Sequence, residues 1–161
     1  MLYHNQLVSK LYTKESISTV IDEWKSNNQK IVFTNGCFDI LHRGHVEYLA
    51  KAKDLGTKLI IGLNTDDSVK RLGKSPERPI NNEESRAVVL AALACVDAII
   101  LFNEDTPLQL IESVLPHVLV KGSDYKLEDI VGYKAVTENG GEVKTIDFVQ
   151  GFSTTSILNK L

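Results

Sequence analysis

KIVFTNGCFDILHRGHVEYLAKAKDLG, residues 30–56, reads in order as a strand, a glycine-containing turn and a helix. KIVFT (30–34) is rich in β-forming residues and lacks apolar–polar alternation, as expected of a strand covered on both faces. The helix is expected over about 45–55, with Gly56 following it in the position of a C-cap. At its start stand His42 and His45, with Gly44 between them. Histidine is a middling helix former and glycine a poor one, so local propensity does not account for this choice.

Outward from this unit the same alternation continues. KLIIGL (58–63), AIILF (98–102), HVLVK (117–121) and EVKTID (142–147) read as further strands. Helices are expected at about 66–72, 82–95, 107–114 and 127–138, with short ones near both ends of the sequence. Thr106 followed by Pro107 has the form of an N-cap and a first helical residue. Strands alternating with helices predict an α/β fold, a Rossmann-like parallel five-stranded sheet with helices on both faces. Residues 30–161 make up that domain, and residues 1–29 are expected as a helical extension packed on it. KRLGKSPERPI (70–80) crowds Lys70, Arg71, Lys74 and Arg78 with glycine and proline, which predicts a basic loop rather than a core element.

Composition narrows the function classes. A chain of 161 residues, 43% hydrophobic and 24% charged, is ordinary for one soluble domain. Its net charge of -3 opposes nonspecific binding to nucleic acid. Cys37 and Cys95 are too few for a disulfide framework or a four-thiolate zinc site, and suit a reducing compartment. MLYHNQLVSKLYTKES lacks the apolar core of a secretory signal, and no apolar run approaches the roughly 20 residues of a membrane span. A cytoplasmic location is the expectation.

Ligands of an open parallel sheet bind beyond the carboxyl ends of its strands, which puts residues 34–45 at the expected mouth. Gly36 lets backbone amides approach a ligand, and Gly44 keeps the first helical turn clear of a side chain. The helix start directs free N–H groups and a positive dipole end outward, so phosphate is the natural guest. Imidazole donors from His42 and His45 would meet negative charge growing on a phosphorus centre. A metal suits the spacing less, because paired helical ligands usually stand at i and i+4, and His4 and His117 have no visible reason to complete a site. Capping or surface roles are the plain alternative.

GFSTTSILNKL (151–161) offers Ser153 or Thr154 as an N-cap, worth about 1 kcal/mol, and the same orphan amides can hold a phosphate. Lys121 ends an apolar strand, where a buried ammonium requires a ligand phosphate or an acidic partner, and Asp124 is nearby in sequence. Asp66 is either an N-cap or a group near substrate, and Asp39 either orients His42 or closes an Asx-turn. No G-x-G-x-x-G follows the first strand and no G-x-x-x-x-G-K-[ST] occurs, which disfavours a dinucleotide oxidoreductase and a P-loop kinase.

Gly36-Cys37-Phe38-Asp39 followed by His42-Arg43-Gly44-His45 resembles the nucleotidyltransferase superfamily of cytidylyltransferases and small adenylyltransferases, whose hallmark is His-x-Gly-His. The resemblance runs on in order through NTD (64–66), RPIN (78–81), ESR (84–86), VKGSDY (120–125) and GFSTT (151–155). Within the superfamily the chain looks most like the branch that converts a heptose 1-phosphate to ADP-heptose for bacterial surface polysaccharide. The resemblance implies catalytic roles for His42, His45, Lys74 and Arg86, with Arg86 gripping nucleotide phosphates. It implies nucleotide contacts from Asn35, Gly36, Cys37, Phe38, Gly44, Lys121, Gly122, Ser153, Thr154 and Thr155 as well as Arg86. Asp39, Asn64, Asp66, Lys121 and Asp124 fall on the substrate side. ATP is implied as a substrate, with Mg2+ arriving on the nucleotide rather than in a dedicated protein metal site. A homodimer is implied, without nucleic-acid or membrane partners. HRGH and GFSTT suit CTP with glycerol 3-phosphate equally, whereas NTDDSV, RLGK and RPIN favour the heptose branch by resemblance, and a nonenzymatic nucleotide sensor stays open as a reading of another class.

Overall fold

Each of the five β-rich runs forms a strand. A computed structural model describes residues 2–73 and 76–158. Its elements are α1 (Leu2–Val8), β1 (Leu11–Tyr12), α2 (Lys14–Ser26), β2 (Ile31–Gly36), α3 (Arg43–Lys53), β3 (Lys58–Asn64), α4 (Asp66–Arg71) and α5 (Glu83–Ala91). There follow β4 (Ala98–Phe102), α6 (Leu108–Val114), β5 (Val118–Gly122), a 3-10 turn (Leu127–Asp129), α7 (Tyr133–Glu138), β6 (Glu142–Ile146) and α8 (Thr154–Leu158).

All strand pairs are parallel, in the spatial order β1-β4-β3-β2-β5-β6. From β2 the chain winds outward through β3 to β4, then returns to lay β5 against the other side of β2. The winding therefore reverses between β2 and β5, and the crevice beyond their carboxyl ends is the ligand position of such a sheet.

The pleat sends alternate residues of β2 to opposite cores. Val32 joins Tyr48, Leu49 and Ala52 of α3 and Leu90 of α5. Ile31 and Phe33 join Ile17 and Ile21 of α2 and Leu110 and Ile111 of α6. Phe33 and Ile60 are fully buried. Each such side chain contributes roughly 1.5–3 kcal/mol by leaving water.

Several local expectations change. The sheet has six strands rather than five, because Leu11 and Tyr12 pair with Ile99 and Ile100 of β4. Two residues are too short for any periodicity to show. The helix expected over 127–138 is divided, with Gly132 at φ +90° between the 3-10 turn and α7. Thr106 does not cap α6: Pro107 holds the N-cap position, without a side-chain cap bond. Gly56 is not a left-handed cap either, for α3 closes on Asp54 in right-handed geometry. Glycine is needed at 56 because a Cβ there would lie 2.5 Å from the Lys30 carbonyl oxygen. No helix among the described residues is long and apolar enough to cross a membrane.

Candidate active site

Beyond β2 the chain turns through Cys37 and Phe38 towards α3. Phe38 takes φ +44°, an unusual backbone conformation for an aromatic residue. Its ring lies against Gly36, where a Cβ would stand 3.0 Å from Phe38 Cε2, and meets His45 edge-on with centroids 5.2 Å apart. His42 is the N-cap of α3, and its Nδ1 accepts a long bond from the His45 N–H at 3.4 Å. The two imidazoles stack with centroids 3.8 Å apart and 18° between their planes. An accepting Nδ1 leaves the His42 proton on Nε2.

Burial holds both imidazoles neutral. It lowers the His42 pKa, and it takes His45 down to about 4, assisted by the charges of His42 and Arg78 and opposed by the backbone near Ile40. Nδ1 of His45 is buried without a hydrogen-bond partner. The pair therefore consists of neutral imidazoles available as donors, at the positive end of an 11-residue helix.

A cleft of about 700 Å³ opens over this pair, within the range of small-molecule sites. The short helix α8 borders it. Ser153 Oγ accepts from the Ser156 N–H at 3.0 Å while Ser156 Oγ accepts from the Ser153 N–H at 3.2 Å, so Ser153 is the N-cap. The Arg43 guanidinium carbon stands 5.5 Å from the Phe152 ring centroid, and a Cβ on Gly44 would meet Phe152 Cβ at 3.2 Å. The starts of α3 and α8 thus close on one another, with Gly44 at the contact.

Lys121 and Gly122 bring the end of β5 to the same cleft. The Lys121 ammonium stands 6.0 Å from the Tyr125 ring centroid. Gly122 has no room for a Cβ because the Phe148 ring lies across it, stacked on Tyr48 with centroids 6.3 Å apart. Tyr48 shares a 2.8 Å hydrogen bond with Thr34, and burial pushes its pKa up to about 12, with Asp124 adding to the rise.

Three of the expected ligand residues make close contacts within the protein. Asp39 is 2% exposed and neither orients His42 nor closes a local turn. Its carboxylate accepts from the N–H groups of Ile80 and Asn81, both at 2.9 Å, and from Arg78 Nε at 3.1 Å. Burial alone would raise its pKa, but the backbone donors of Asn81 and Ile80 and the Arg78 guanidinium bring it below the ordinary value. Arg86, expected on nucleotide phosphates, has a side chain with no exposure. It donates to the Asn81 carbonyl at 3.0 Å, the Cys37 carbonyl at 2.7 Å and Asp66 Oδ1 at 2.7 Å. Asp66 is not the N-cap of α4; Thr65 is, its hydroxyl accepting from the Ser68 N–H at 3.2 Å.

Of the expected residues, the cleft gathers Asn35, Gly36, Cys37, Phe38, His42, Gly44 and His45 from the first βα unit. It also gathers Asn64, Lys121, Gly122, Asp124, Ser153, Thr154 and Thr155, but not Asp39, Asp66 or Arg86. Lys74 lies outside the described residues. Among its rivals, Arg78 lines the cleft, whereas Lys70 pairs with Asp67 and Arg71 with Asp105. Tyr48, Phe148 and Phe152 also line it and were not singled out in the sequence. Tyr48 stands three residues after His45, on the same helix face, which is a signal that could have found it. Among the described residues no cluster of three or more His, Cys, Asp or Glu is placed to hold a metal ion.

The chain is similar to known proteins in sequence and in fold. Residues 33–160 match the family described as cytidylyltransferase-like. The bifunctional protein HldE of Pelobacter propionicus is 48% identical over 160 residues, covering 99% of this chain and 33% of that protein. HldE of Haemophilus influenzae is 51% identical over 151 residues, covering 94% of this chain and 32% of that protein. The chain thus spans about a third of the length of these curated relatives. A lipopolysaccharide core biosynthesis protein from Thermoplasma volcanium superposes with a TM-score of 0.62 at 30% identity, over 75% of this chain and 97% of that one. Pantoate-beta-alanine ligase from Francisella tularensis, complexed with beta-gamma ATP and beta-alanine, gives 0.65 at 14% identity over 94% of this chain and 72% of that one, a likeness of fold alone.

Proposed function

The chain belongs to the cytidylyltransferase-like family, and from that premise we propose that it transfers AMP from ATP to a heptose 1-phosphate, releasing pyrophosphate and ADP-heptose for surface polysaccharide. The observation that carries this reading is the stacked, neutral His42–His45 pair at the start of α3, on one cleft with residues 153–155. The sugar and its destination are supported by the resemblance carried by NTDDSV, RLGK and RPIN in the sequence and by the similarity to HldE and to a lipopolysaccharide core biosynthesis protein.

An oxygen of the sugar phosphate, ionised at neutral pH, attacks the α-phosphorus of ATP. The new P–O bond forms as the bond to the bridging oxygen breaks, and pyrophosphate leaves with the electron pair. An ionised nucleophile needs no general base, so the protein's work is positioning and charge stabilisation. His42 and His45 donate to the α-phosphoryl oxygens as charge builds, and residues 153–155 hold the β- and γ-phosphates. Arg78, Lys121 and Lys74 supply positive charge, and Mg2+ enters with the nucleotide. A homodimer and a cytoplasmic location belong to the same reading; the exposed Val88 and Val89 of α5 are apolar surface such an assembly could cover.

Pyrophosphate release measured across ATP and CTP, each with heptose 1-phosphate and glycerol 3-phosphate, tests this directly. The expected maximum is ATP with heptose 1-phosphate. A maximum at CTP with glycerol 3-phosphate replaces the substrate pair, and ATP binding without release in any combination makes the protein a sensor.

A further inference from the structure

The two sides of the cleft differ in chemistry. Towards α3 and α8 its wall includes His42, Gly44, His45, Tyr48 and residues 152–155, with Asp124 acting on Tyr48. Across the end of the sheet the wall is Asn35, Asn64, Asp105, Thr106 and Asp129. The pleat separates these sides. Asn35 follows Ile31 and Phe33 onto the α2–α6 face, where its Cβ stands beside Gly62 and close to Leu110, whereas α3 covers the opposite face.

Asn35 Oδ1 is buried without a hydrogen-bond partner. A buried carbonyl oxygen in that state costs stability and calls for a donor from outside the fold. The neighbouring Asn64 is already held, donating from Nδ2 to Ser68 Oγ at 2.9 Å and accepting from Cys37 Sγ at 3.9 Å.

We propose that the Asn35 side chain determines acceptor specificity, its Oδ1 accepting a hydrogen bond from a hydroxyl of the sugar phosphate. This rests on the nucleotidyl-transfer reading. In-line displacement sets the attacking oxygen and the leaving pyrophosphate on opposite sides of the α-phosphorus. With pyrophosphate against residues 153–155 and the α-phosphoryl group at the histidines, the acceptor enters from the side away from α8, where Asn35 stands. The resemblance assigns Asn35 to the nucleotide; the pleat turns its side chain away from α3 while its backbone stays at the crevice.

Asn35→Leu removes the acceptor at nearly constant size. Because it replaces an unsatisfied buried polar group with an apolar one, Tm stays unchanged or rises. In steady-state kinetics with ATP and heptose 1-phosphate, KM for the sugar phosphate rises about tenfold or more while KM for ATP stays within about twofold. Monodeoxy analogues of the sugar phosphate provide a second measurement, with Asn35→Ala as a second variant. The wild type disfavours one analogue about tenfold, and both variants lose that discrimination. Unchanged acceptor KM in both variants, a rise confined to ATP, or loss of folded protein in both overturns the assignment of Asn35 alone. A wild type that forms no nucleotide sugar from ATP and any heptose phosphate overturns the transfer reading, and the Asn35 assignment with it.

Discussion

Helices α3 and α5 both begin near the carboxyl end of the sheet, and both carry groups that the resemblance gives to phosphate. They use them in opposite ways. At α3, His42 and His45 hold each other by ring stacking, a 2.9 Å bond from the His45 N–H to the His42 carbonyl and a longer cap bond, and both line the cleft. At α5, Arg86 is enclosed and donates to Cys37, Asn81 and Asp66. What separates the two is the supply of protein acceptors within reach. An enclosed guanidinium must be paired where it lies, and the carbonyls and the carboxylate around Arg86 do that without a ligand. Arg86 thereby holds the Cys37 carbonyl at the turn into α3.

The largest effect should come from breaking the α5 side. Arg86→Met leaves Asp66 and two carbonyls without their partner, and urea unfolding should show a loss of about 3–5 kcal/mol. A variant as stable as the wild type but weak in ATP binding would instead place Arg86 on phosphate. On the α3 side the balance inverts. His45→Ala should lower turnover about a hundredfold or more while circular dichroism and melting stay near wild type; equal losses of fold and turnover would make the imidazole structural.

Acid sharpens the contrast further. The folded pKa of His45, about 4, lies below its ordinary 6.5, so the unfolded chain takes up the proton first as pH falls. Stability from this group is complete above pH 6.5 and declines between 6.5 and about 4, and His45→Ala should flatten that part of the curve. The Asp39 carboxyl is also lowered, from 3.8, so its contribution persists through that window and is lost only below it; Asp39→Asn should flatten the more acidic part alone. Curves of unfolding free energy against pH for the two variants check both statements. The smallest expected change in stability is at the junction itself. In Gly44→Ala the new methyl would stand 3.1 Å from His42 Cε1 and Nδ1, while alanine favours the helix by about 1 kcal/mol. Melting should therefore move little and turnover fall about tenfold.

The layout of the sheet was readable because its strands are long apolar runs and its helices begin at recognisable turns. The sequence also marked the α3 and α8 starts correctly, since an N-cap, a glycine and two imidazoles are local features. The protein partners of Asp39, Asp66 and Arg86 were not legible, for a common reason. Their partners lie elsewhere in the chain: Asp39 meets residues 78–81, and Arg86 reaches back to Cys37 and Asp66. A carboxylate that holds a loop and one that holds a ligand look alike in one dimension. Phe148 and Phe152 were missed because isolated aromatics in a loop carry no periodicity. Only the fold shows one lying over Gly122 and the other against the start of α3.

The two-residue strand β1 has an effect out of proportion to its length. Leu11 and Tyr12 cover the outer margin of β4, and the Ile99 N–H donates to the Lys10 carbonyl at 2.8 Å. Without that cover the uncharged run AIILF would present open backbone groups to any passing chain. A protein unable to seat those residues would be expected to fail first through self-association, coming out of solution with its chemistry otherwise intact.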